Sequence, residues 1–500
     1  MNTFLRFFYE FLSVFFDGLF TGIKRMFDFK AYAKVINSYK DTFSNGEKIF
    51  LYIGVAILVI IILLVIGLIV LFIKKMIRKT DKNLNKDDLL NEINDLHDQV
   101  RKLMKEKEKI MAMKVSQLGL NPNEEENAEE QEKEDEKKTD PNIRFPKLVS
   151  IDEAYANYKV KKYNNTENLT EIIEDFRCFA ASQLKLYYDY DILRPFFAGL
   201  ACGKLIILQG ISGTGKTSLA YAWGKFVNID SCVVSVEPSW RDKSDFLGYF
   251  NEFTKKFTET KALGEIYTAG FDDNIHTIIL DEMNLARVEY YFADLLSILE
   301  MPNRNEWIVD LVPSAWDKDP KKILNGKLKL PGNIWYIGTI NNDDSTFMVT
   351  DKVYDRAMPI DINTKVDPFE CREQEALNLN STYLESLFQD AIEKHPVSKP
   401  NLELVNEIDD YVIKHFRISF GNRIMKQLNT FVAVYVGCGG NEIDGIDYFI
   451  AKKILRKFDQ LSVSFIRDEI DPFISFLNKR VGKGVMKECI FYLETLKKSI

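Results

Sequence analysis

The chain has 500 residues, a formal net charge of −8 and six cysteines. This length exceeds that of one small domain and predicts two or three globular parts, while the acidic balance excludes a strongly basic nucleic-acid-binding protein. The cysteines are far apart and form no C-x-x-C pair, which argues against a disulfide framework and a zinc site and fits a reducing cytosol.

Residues 1–48 form an amphipathic N-terminal segment. Within residues 1–27, the polar side chains fall in an arc of about 80° when the chain advances ~100° per residue, and phenylalanines occupy the other side. Such a helix lies in a membrane interface or packs against sister subunits. The interface is favoured, and both interpretations stay open.

Residues 49–74 are predicted to form a transmembrane helix. Its first 25 residues, 49–73, contain no charged side chain. As a helix they span ~37 Å at ~1.5 Å per residue, enough for a hydrocarbon core of ~30 Å. Basic residues cluster just after this span, so the positive-inside rule directs the C-terminal side to the cytoplasm. The sequence therefore predicts a single-pass membrane protein.

Residues 75–120 are predicted to be helical. Apolar side chains recur there at coiled-coil a/d spacing, at Leu89, Ile93, Leu96, Val100, Leu103 and Ile110. This spacing indicates a short coiled coil or an amphipathic helix. Residues 121–145 then read as an acidic, disordered linker, since ten acidic residues and three lysines within 124–140 leave a net charge of −7.

A phosphate-binding loop is predicted at residues 210–217, GISGTGKT, which match G-x-x-x-x-G-K-[ST]. An apolar run at 204–209 precedes it as a buried strand, and 218–227 has helical spacing. The backbone N–H groups and the helix dipole of this arrangement bind phosphate. We expect nucleotide contacts from Gly210, Ser212, Gly213, Thr214, Gly215, Lys216, Thr217 and Ser218, with the Thr217 hydroxyl ligating Mg²⁺.

Two carboxylates follow a later strand. Residues 232–236 and 277–280 are strand candidates, and the second ends in Asp281 and Glu282. This is the Walker B arrangement, in which Asp281 would hold the Mg²⁺ shell. Glu282 would orient the attacking water, because phosphoryl transfer depends mostly on positioning and charge stabilisation.

A further strand, 334–340, ends in Asn341, whose amide can bind the attacking water or the γ-phosphate. Arg356 follows a short helix. It is a candidate arginine finger for the nucleotide of a neighbouring subunit, and a surface salt bridge is the alternative.

Five stretches (210–218, 235–251, 279–300, 337–361 and 420–431) together resemble the McrB-like branch of AAA+ motors. That branch is named for the GTP-driven subunit of modification-dependent restriction systems. The resemblance covers roughly residues 187–457 and implies an extra hairpin around 251–258. It also implies ring assembly, often hexameric.

The motifs and the resemblance together predict an α/β fold class. The resemblance implies a P-loop AAA+ core at 146–362, with a parallel sheet flanked by helices. A helical lid and a C-terminal helical extension would occupy 363–500. By position, Asn341 resembles sensor 1, Arg356 the arginine finger, and Arg423 the sensor 2 residue of the lid.

The chain departs from the restriction motor in two respects. Residues 340–345 read INNDDS where that motor has an M-N-T-A-D-R type signature, so its GTP preference is not carried over and ATP is expected ahead of GTP. No DNA-reading domain precedes the motor region, and a membrane span stands in its place.

The resulting prediction is a membrane-anchored AAA+ nucleoside triphosphatase. Its ring would hydrolyse ATP or GTP with Mg²⁺ to remodel or signal to a partner, in prokaryotic defence. One alternative is a nucleotide-gated scaffold that recruits an effector. Another is a DNA-translocating restriction motor that works with a nuclease-like subunit.

Overall fold

A computed structural model of the chain describes residues 143–159, 161–341, 346–461 and 463–499. The predicted amphipathic segment, transmembrane helix and coiled coil, and the linker up to residue 142, lie outside these ranges. Within these ranges, no helix combines the length and apolarity needed to cross a membrane.

The described residues contain ten strands, in three sheets. In chain order they are β1 (Leu205–Gly210), β2 (Cys232–Ser235), β3 (Gly248–Asn251), β4 (Lys256–Glu259), β5 (His276–Asp281), β6 (Ile308–Asp310), β7 (Ile323–Leu324), β8 (Lys327–Lys329), β9 (Ile334–Asn341) and β10 (Met358–Asp361). The central sheet has five parallel strands in the order β10-β1-β9-β5-β2. All five carboxyl ends therefore meet at one edge.

Helices cover both faces of this sheet. Six belong to one apolar cluster: α1 (Pro146–Tyr155), α5 (Lys243–Leu247), α6 (Lys261–Ala269), α7 (Val288–Tyr291), α8 (Ala293–Ile298) and α9 (Asp351–Tyr354). The other cluster contains α2 (Leu169–Leu184), α3 (Tyr190–Cys202), α4 (Lys216–Phe226), α10 (Ser381–Lys394), α11 (Lys399–Phe416), α12 (Asn422–Gly437), α13 (Glu442–Lys453), α14 (Val463–Val481) and α15 (Lys487–Ser499).

Strand β1 shows why the sequence run before the phosphate loop is continuously apolar. Ile206 and Leu208 pack into one cluster, and Leu205 and Ile207 pack into the other. A strand buried on both faces needs apolar side chains at every position. The predicted α/β class, a parallel sheet between helices, is confirmed.

The two smaller sheets are antiparallel. Strands β3 and β4 form a hairpin across residues 248–259, where an extra hairpin was expected. Strands β6, β8 and β7 form a separate three-stranded sheet that the sequence did not predict. Its strands have only two or three residues, too few to show a period-two pattern.

The folded region begins earlier than the predicted boundary at residue 146. The Arg144 side chain is only 2% exposed and forms an ion pair with Asp319, and Phe145 is fully buried. The last residues of the predicted linker, from Arg144 onward, are therefore part of the core. The sequence around Arg144 does not indicate this burial, because its ion-pair partner Asp319 is far away in the chain.

The expectation of unpaired cysteines is wrong for one pair. Cys178 in α2 is disulfide-bonded to Cys371, with Cα atoms 5.3 Å apart, and the two lie 193 residues apart in the chain. The fold brings the segment after β10 against α2, and residue spacing does not encode such a contact.

Candidate nucleotide site

The phosphate loop joins the end of β1 to the start of α4. Gly210, Gly213 and Gly215 have φ values of 142°, 78° and 89°, a region that side chains with a Cβ rarely adopt. At Gly210 a Cβ would also collide with the carbonyl oxygen of Ile362. The glycine positions of the motif are therefore required by the backbone path itself.

The first turn of α4 presents donors to this loop. The first intrahelical bond runs from Leu219 N to the Gly215 carbonyl, so the N–H groups just before Leu219 have no partner within the helix. Lys216 is only 6% exposed. Its Nζ donates to the carbonyls of Gly210 and Ile211 at 3.0 and 2.8 Å, which holds the ammonium group inside the loop.

The remaining predicted loop residues are also at this edge of the sheet. Thr214 Oγ1 donates to the Ile211 carbonyl at 2.9 Å, Ser212 is exposed in the loop, and Ser218 follows Thr217 in the first turn of α4. The hydroxyl of the buried Tyr188 donates to the Gly215 carbonyl at 3.5 Å. Burial raises the pKa of Tyr188 well above its usual value, so this phenol remains a donor.

Asp281 connects the phosphate loop to the Walker B strand. Its Oδ1 accepts hydrogen bonds from Thr217 Oγ1 at 2.7 Å and from Thr339 Oγ1 at 2.9 Å. Thr339 also accepts a hydrogen bond from the backbone N–H of Glu282. The start of α4 and the last turn of β9 therefore meet at the carboxylate that ends β5.

Glu282 and Asn341 lie close together, at the ends of two neighbouring strands. Strand β9 lies between β1 and β5, with Asn341 opposite Gly210 in the register. Asn341 Nδ2 donates to Glu282 Oε1 at 3.4 Å. Glu282 is exposed and has a φ of 52°, an uncommon conformation for a non-glycine residue that clusters at functional sites.

Asn284 holds the backbone next to this pair. It is only 3% exposed, and its Nδ2 donates to the Asn341 carbonyl at 3.0 Å and to Thr346 Oγ1 at 2.9 Å. Asn284 thereby fixes the backbone at the end of β9. Sequence reasoning assigned no role to Asn284 or Thr339, although both lie within a few residues of the predicted carboxylates.

The donor set fits a hard divalent cation. Mg²⁺ prefers oxygen ligands and usually takes one or two from the protein, with water and phosphate supplying the rest. The Thr217 hydroxyl and the Asp281 carboxylate lie side by side at the mouth of the phosphate loop. They would hold Mg²⁺, which neutralises phosphate charge when it is bound.

A cavity of about 420 Å³ adjoins this edge and is lined by Gly210, Asn341 and Arg456, among others. The Arg456 guanidinium lies over the Tyr354 ring, with Cζ 3.0 Å from the ring centroid, and its Nη1 is 3.7 Å from Asp351 Oδ1. Sequence reasoning missed Arg456 because no motif surrounds it.

Arg356 lies at the opposite, N-terminal edge of the sheet, just before β10. Its Nη2 is 2.9 Å from Glu300 Oε2, and its Nη1 donates to the Lys352 carbonyl. Lys453 Nζ donates to the carbonyls of Tyr354, Asp355 and Ala357 and so fixes the backbone on both sides of Arg356.

Arg423 lies at the N-terminal edge of the sheet, away from the phosphate loop of the same chain. Its Nη1 is 2.5 Å from Glu300 Oε1, so it shares one carboxylate with Arg356. Both arginines line a cavity of about 350 Å³ together with Gly203 and Lys204, which precede β1. A strand of six residues, ~20 Å at ~3.3 Å per residue, separates them from the loop. In this arrangement Arg423 contacts Glu300, and its expected contact with nucleotide stays a prediction.

Comparison with protein-family models and with curated proteins found no match for this chain.

Proposed function

We propose that this chain is a P-loop nucleoside triphosphatase that hydrolyses ATP, or GTP, with Mg²⁺. The observation that carries the proposal is the convergence of Thr217, Asp281, Glu282 and Asn341 at the phosphate loop. A glycine-rich anion site alone would serve binding. The adjacent exposed carboxylate favours hydrolysis over a purely nucleotide-gated scaffold.

Each of these residues would have a distinct role in phosphoryl transfer. The loop N–H groups and Lys216 would bind the β- and γ-phosphates, and Thr217 with Asp281 would hold Mg²⁺. Glu282 would orient and polarise the attacking water, with Asn341 holding that carboxylate in place. Most of the rate gain in such reactions comes from positioning and charge stabilisation.

The finer proposal is an AAA+ motor of the McrB-like branch, with 363–500 as lid and helical extension. It rests on the motifs and on Arg356, which lies at the edge opposite its own phosphate loop and so suits a neighbour's nucleotide. In this proposal the chain forms a ring, often hexameric in such motors. A helix at 49–74 anchors it with the motor in the cytoplasm, where it remodels or signals to a partner in prokaryotic defence.

The test is phosphate release and equilibrium nucleotide binding by the full-length protein in detergent, with ATP and GTP compared. Lys216→Ala should abolish binding, because it removes the charge facing the phosphates. Lys225→Ala is the matched control, since Lys225 is in the same helix but pairs with Asp230 near the helix end. A wild-type protein that binds neither nucleotide would overturn the proposal, and one that binds without turnover would favour the scaffold.

A further inference from the structure

Three side chains that can ligate a metal meet at the disulfide between α2 and the segment that follows β10. The sulfur atoms of Cys178 and Cys371 are bonded to each other, and Cys178 lies one helical turn after Glu174 in α2. One carboxylate oxygen of Glu174 and the two sulfur atoms all lie within 4.8 Å of one another. The fold therefore brings two sulfur ligands and one oxygen ligand to a single place.

The three side chains differ in burial in a way that suits a bound ion. Cys178 is only 1% exposed, whereas Glu174 and Cys371 are partly exposed. A metal site needs a path by which the ion reaches its ligands. Here one ligand is fixed in the core, and the other two are reached from the surface.

Glu174 is held in an orientation that suits coordination. Its Oε2 accepts a hydrogen bond from the Tyr190 hydroxyl, and its Oε1 is 3.6 Å from Cys178 Sγ. One oxygen is thus bonded to the phenol while the other faces the sulfur atoms. Outer partners of this kind orient the ligating groups of metal sites.

The charges around the site fit a divalent cation with three anionic ligands. Two thiolates and a carboxylate exceed the charge of such a cation, so the complex keeps a net negative charge. Arg177 lies beside it, with Cζ 4.9 Å from the Tyr190 ring centroid and 3.9 Å from the Phe369 ring centroid. Its buried Nε has no hydrogen-bond acceptor among the described residues. This guanidinium would offset the remaining negative charge.

The two cysteines would stay close together after reduction, because other contacts hold the segment after β10 against α2. Arg372 forms an ion pair with Asp175 of α2. The backbone N–H of Gln374 donates to Ser182 Oγ, also in α2, at 3.4 Å. Both contacts are independent of the sulfur–sulfur bond, so the reduced thiols remain positioned for a shared ligand.

We infer that the reduced protein binds a thiophilic divalent cation, with Zn²⁺ as the expected ion, through Cys178, Cys371 and Glu174. A water molecule would complete the tetrahedral set that Zn²⁺ prefers. The disulfide is the oxidised form of the same site, and either form ties the segment after β10 to α2. This inference does not depend on nucleotide binding. It revises the expectation, drawn from cysteine spacing, that the chain has no zinc site.

Exchange between the two forms balances with a low-molecular-weight disulfide, such as oxidised glutathione, as the oxidant. The two metal-bound thiolates give up two electrons and form the Cys178–Cys371 bond, and Zn²⁺ leaves because the thiolate is the form that ligates metal. The sulfur–sulfur bond of the oxidant breaks, and each of its two thiolates takes up a proton from water. The reaction passes through a mixed disulfide.

Metal analysis of the untagged full-length protein in detergent tests the inference. Protein reduced with a phosphine, incubated with Zn²⁺ and desalted should retain about one Zn²⁺ per chain more than the same protein kept oxidised. Co²⁺ in place of Zn²⁺ should give thiolate-to-metal charge-transfer absorption in the reduced protein alone. Equal zinc in the two forms, or reduced protein that retains none, would overturn the inference. This comparison needs no substitution, so it is decisive even where a variant fails to fold.

Single substitutions then identify the ligands. Because the loss of an outer partner alone costs about 10–100-fold in metal affinity, Tyr190→Phe should weaken Zn²⁺ binding roughly tenfold, and Cys371→Ser or Glu174→Gln roughly a hundredfold or more. Cys232→Ser is the matched control, because Cys232 is a free cysteine in β2. Wild-type affinity in Cys371→Ser or Glu174→Gln, or an equal loss in Cys232→Ser, would contradict the assignment.

Discussion

The two edges of the central sheet hold their charges in opposite ways. At the C-terminal edge, the carboxylates of Asp281 and Glu282 accept hydrogen bonds from neutral hydroxyl and amide groups. At the N-terminal edge, Arg356 and Arg423 are ion-paired to Glu300. In the proposed function one edge would hold a cation and phosphates, and the other carries two arginines that are paired to a single carboxylate.

This difference suggests why one subunit would be incomplete. The phosphate-loop edge would bind nucleotide, while the arginines that could stabilise its transition state lie a strand length away in the same chain. In the proposed ring, the N-terminal edge of one copy would stack on the C-terminal edge of the next and bring the two together. Head-to-tail contacts of this kind close into rings when the rotation allows.

A large effect on turnover is expected from changing Glu282 at the C-terminal edge. Glu282→Gln should lower turnover by about 10²–10⁴-fold, because the attacking water loses its polarising carboxylate. Nucleotide affinity should remain, since Lys216 and the loop are intact. Phosphate release and equilibrium binding by the full-length protein measure the two properties.

Glu306→Gln provides the control for Glu282, as Glu306 is exposed and distant from the phosphate loop in sequence. Turnover of Glu282→Gln close to the wild-type rate would remove the Walker B assignment. Equal loss in both variants would point to a general charge effect.

A smaller effect is expected at Asn284, which positions Asn341. Asn284→Ala should reduce turnover roughly tenfold with nearly unchanged nucleotide affinity, because small misplacements of positioning groups slow chemistry more than binding. Asn305→Ala, at an exposed asparagine, is the control. If affinity falls as much as turnover, or if the melting temperature falls below the assay temperature, Asn284 has a structural role instead.

The smallest effect concerns stability at the N-terminal edge, where β5 begins with His276. Burial opposes its charged form, but hydrogen bonds to Asp272 and Glu265 outweigh burial and raise the pKa of His276 to about 9. A raised pKa stabilises the fold fully below the unfolded value of ~6.5 and loses this contribution as pH rises through about 9. The loss should be on the order of 3 kcal/mol at ~1.4 kcal/mol per pKa unit.

Urea unfolding of the full-length protein between pH 6 and pH 10, followed by tryptophan fluorescence, measures this change. His276→Gln should flatten the pH dependence of the unfolding free energy. His415→Gln, at a partly exposed histidine paired with Glu469, should leave the dependence in place. A dependence that survives in His276→Gln would show that another group titrates.

The local parts of the fold were predictable. Strand β1, the loop at 210–217 and helix α4 form one short motif whose glycine spacing reports the backbone path directly. The strand before Asp281 was also recognisable, because a strand buried on both faces is continuously apolar. Which strands lie beside it in the sheet could not be predicted, because hydrophobic period and composition do not encode strand order.

The site residues also differ in whether local sequence or long-range packing determines their positions. Glu282 and Asn341 follow adjacent strands, so their contact follows from parallel pairing once β9 lies beside β5. The position of Arg423 depends on how α12 packs, and a motif match carried no information about that. The disulfide of Cys178 and the buried Arg144 also depend on long-range packing.

The central claim is that the N-terminal edge of one copy completes the C-terminal edge of another, and a mixture of two inactive variants tests it directly. Arg356→Ala should lower turnover by about 10³-fold or more, as loss of an arginine finger does, and Lys216→Ala should bind no nucleotide. Combined in equal amounts, the full-length variants should recover roughly a quarter of wild-type phosphate release, because that fraction of random interfaces pairs an intact site with an intact arginine. A mixture that co-sediments as one assembly but stays inactive, or an Arg356→Ala protein with normal turnover, would contradict the account.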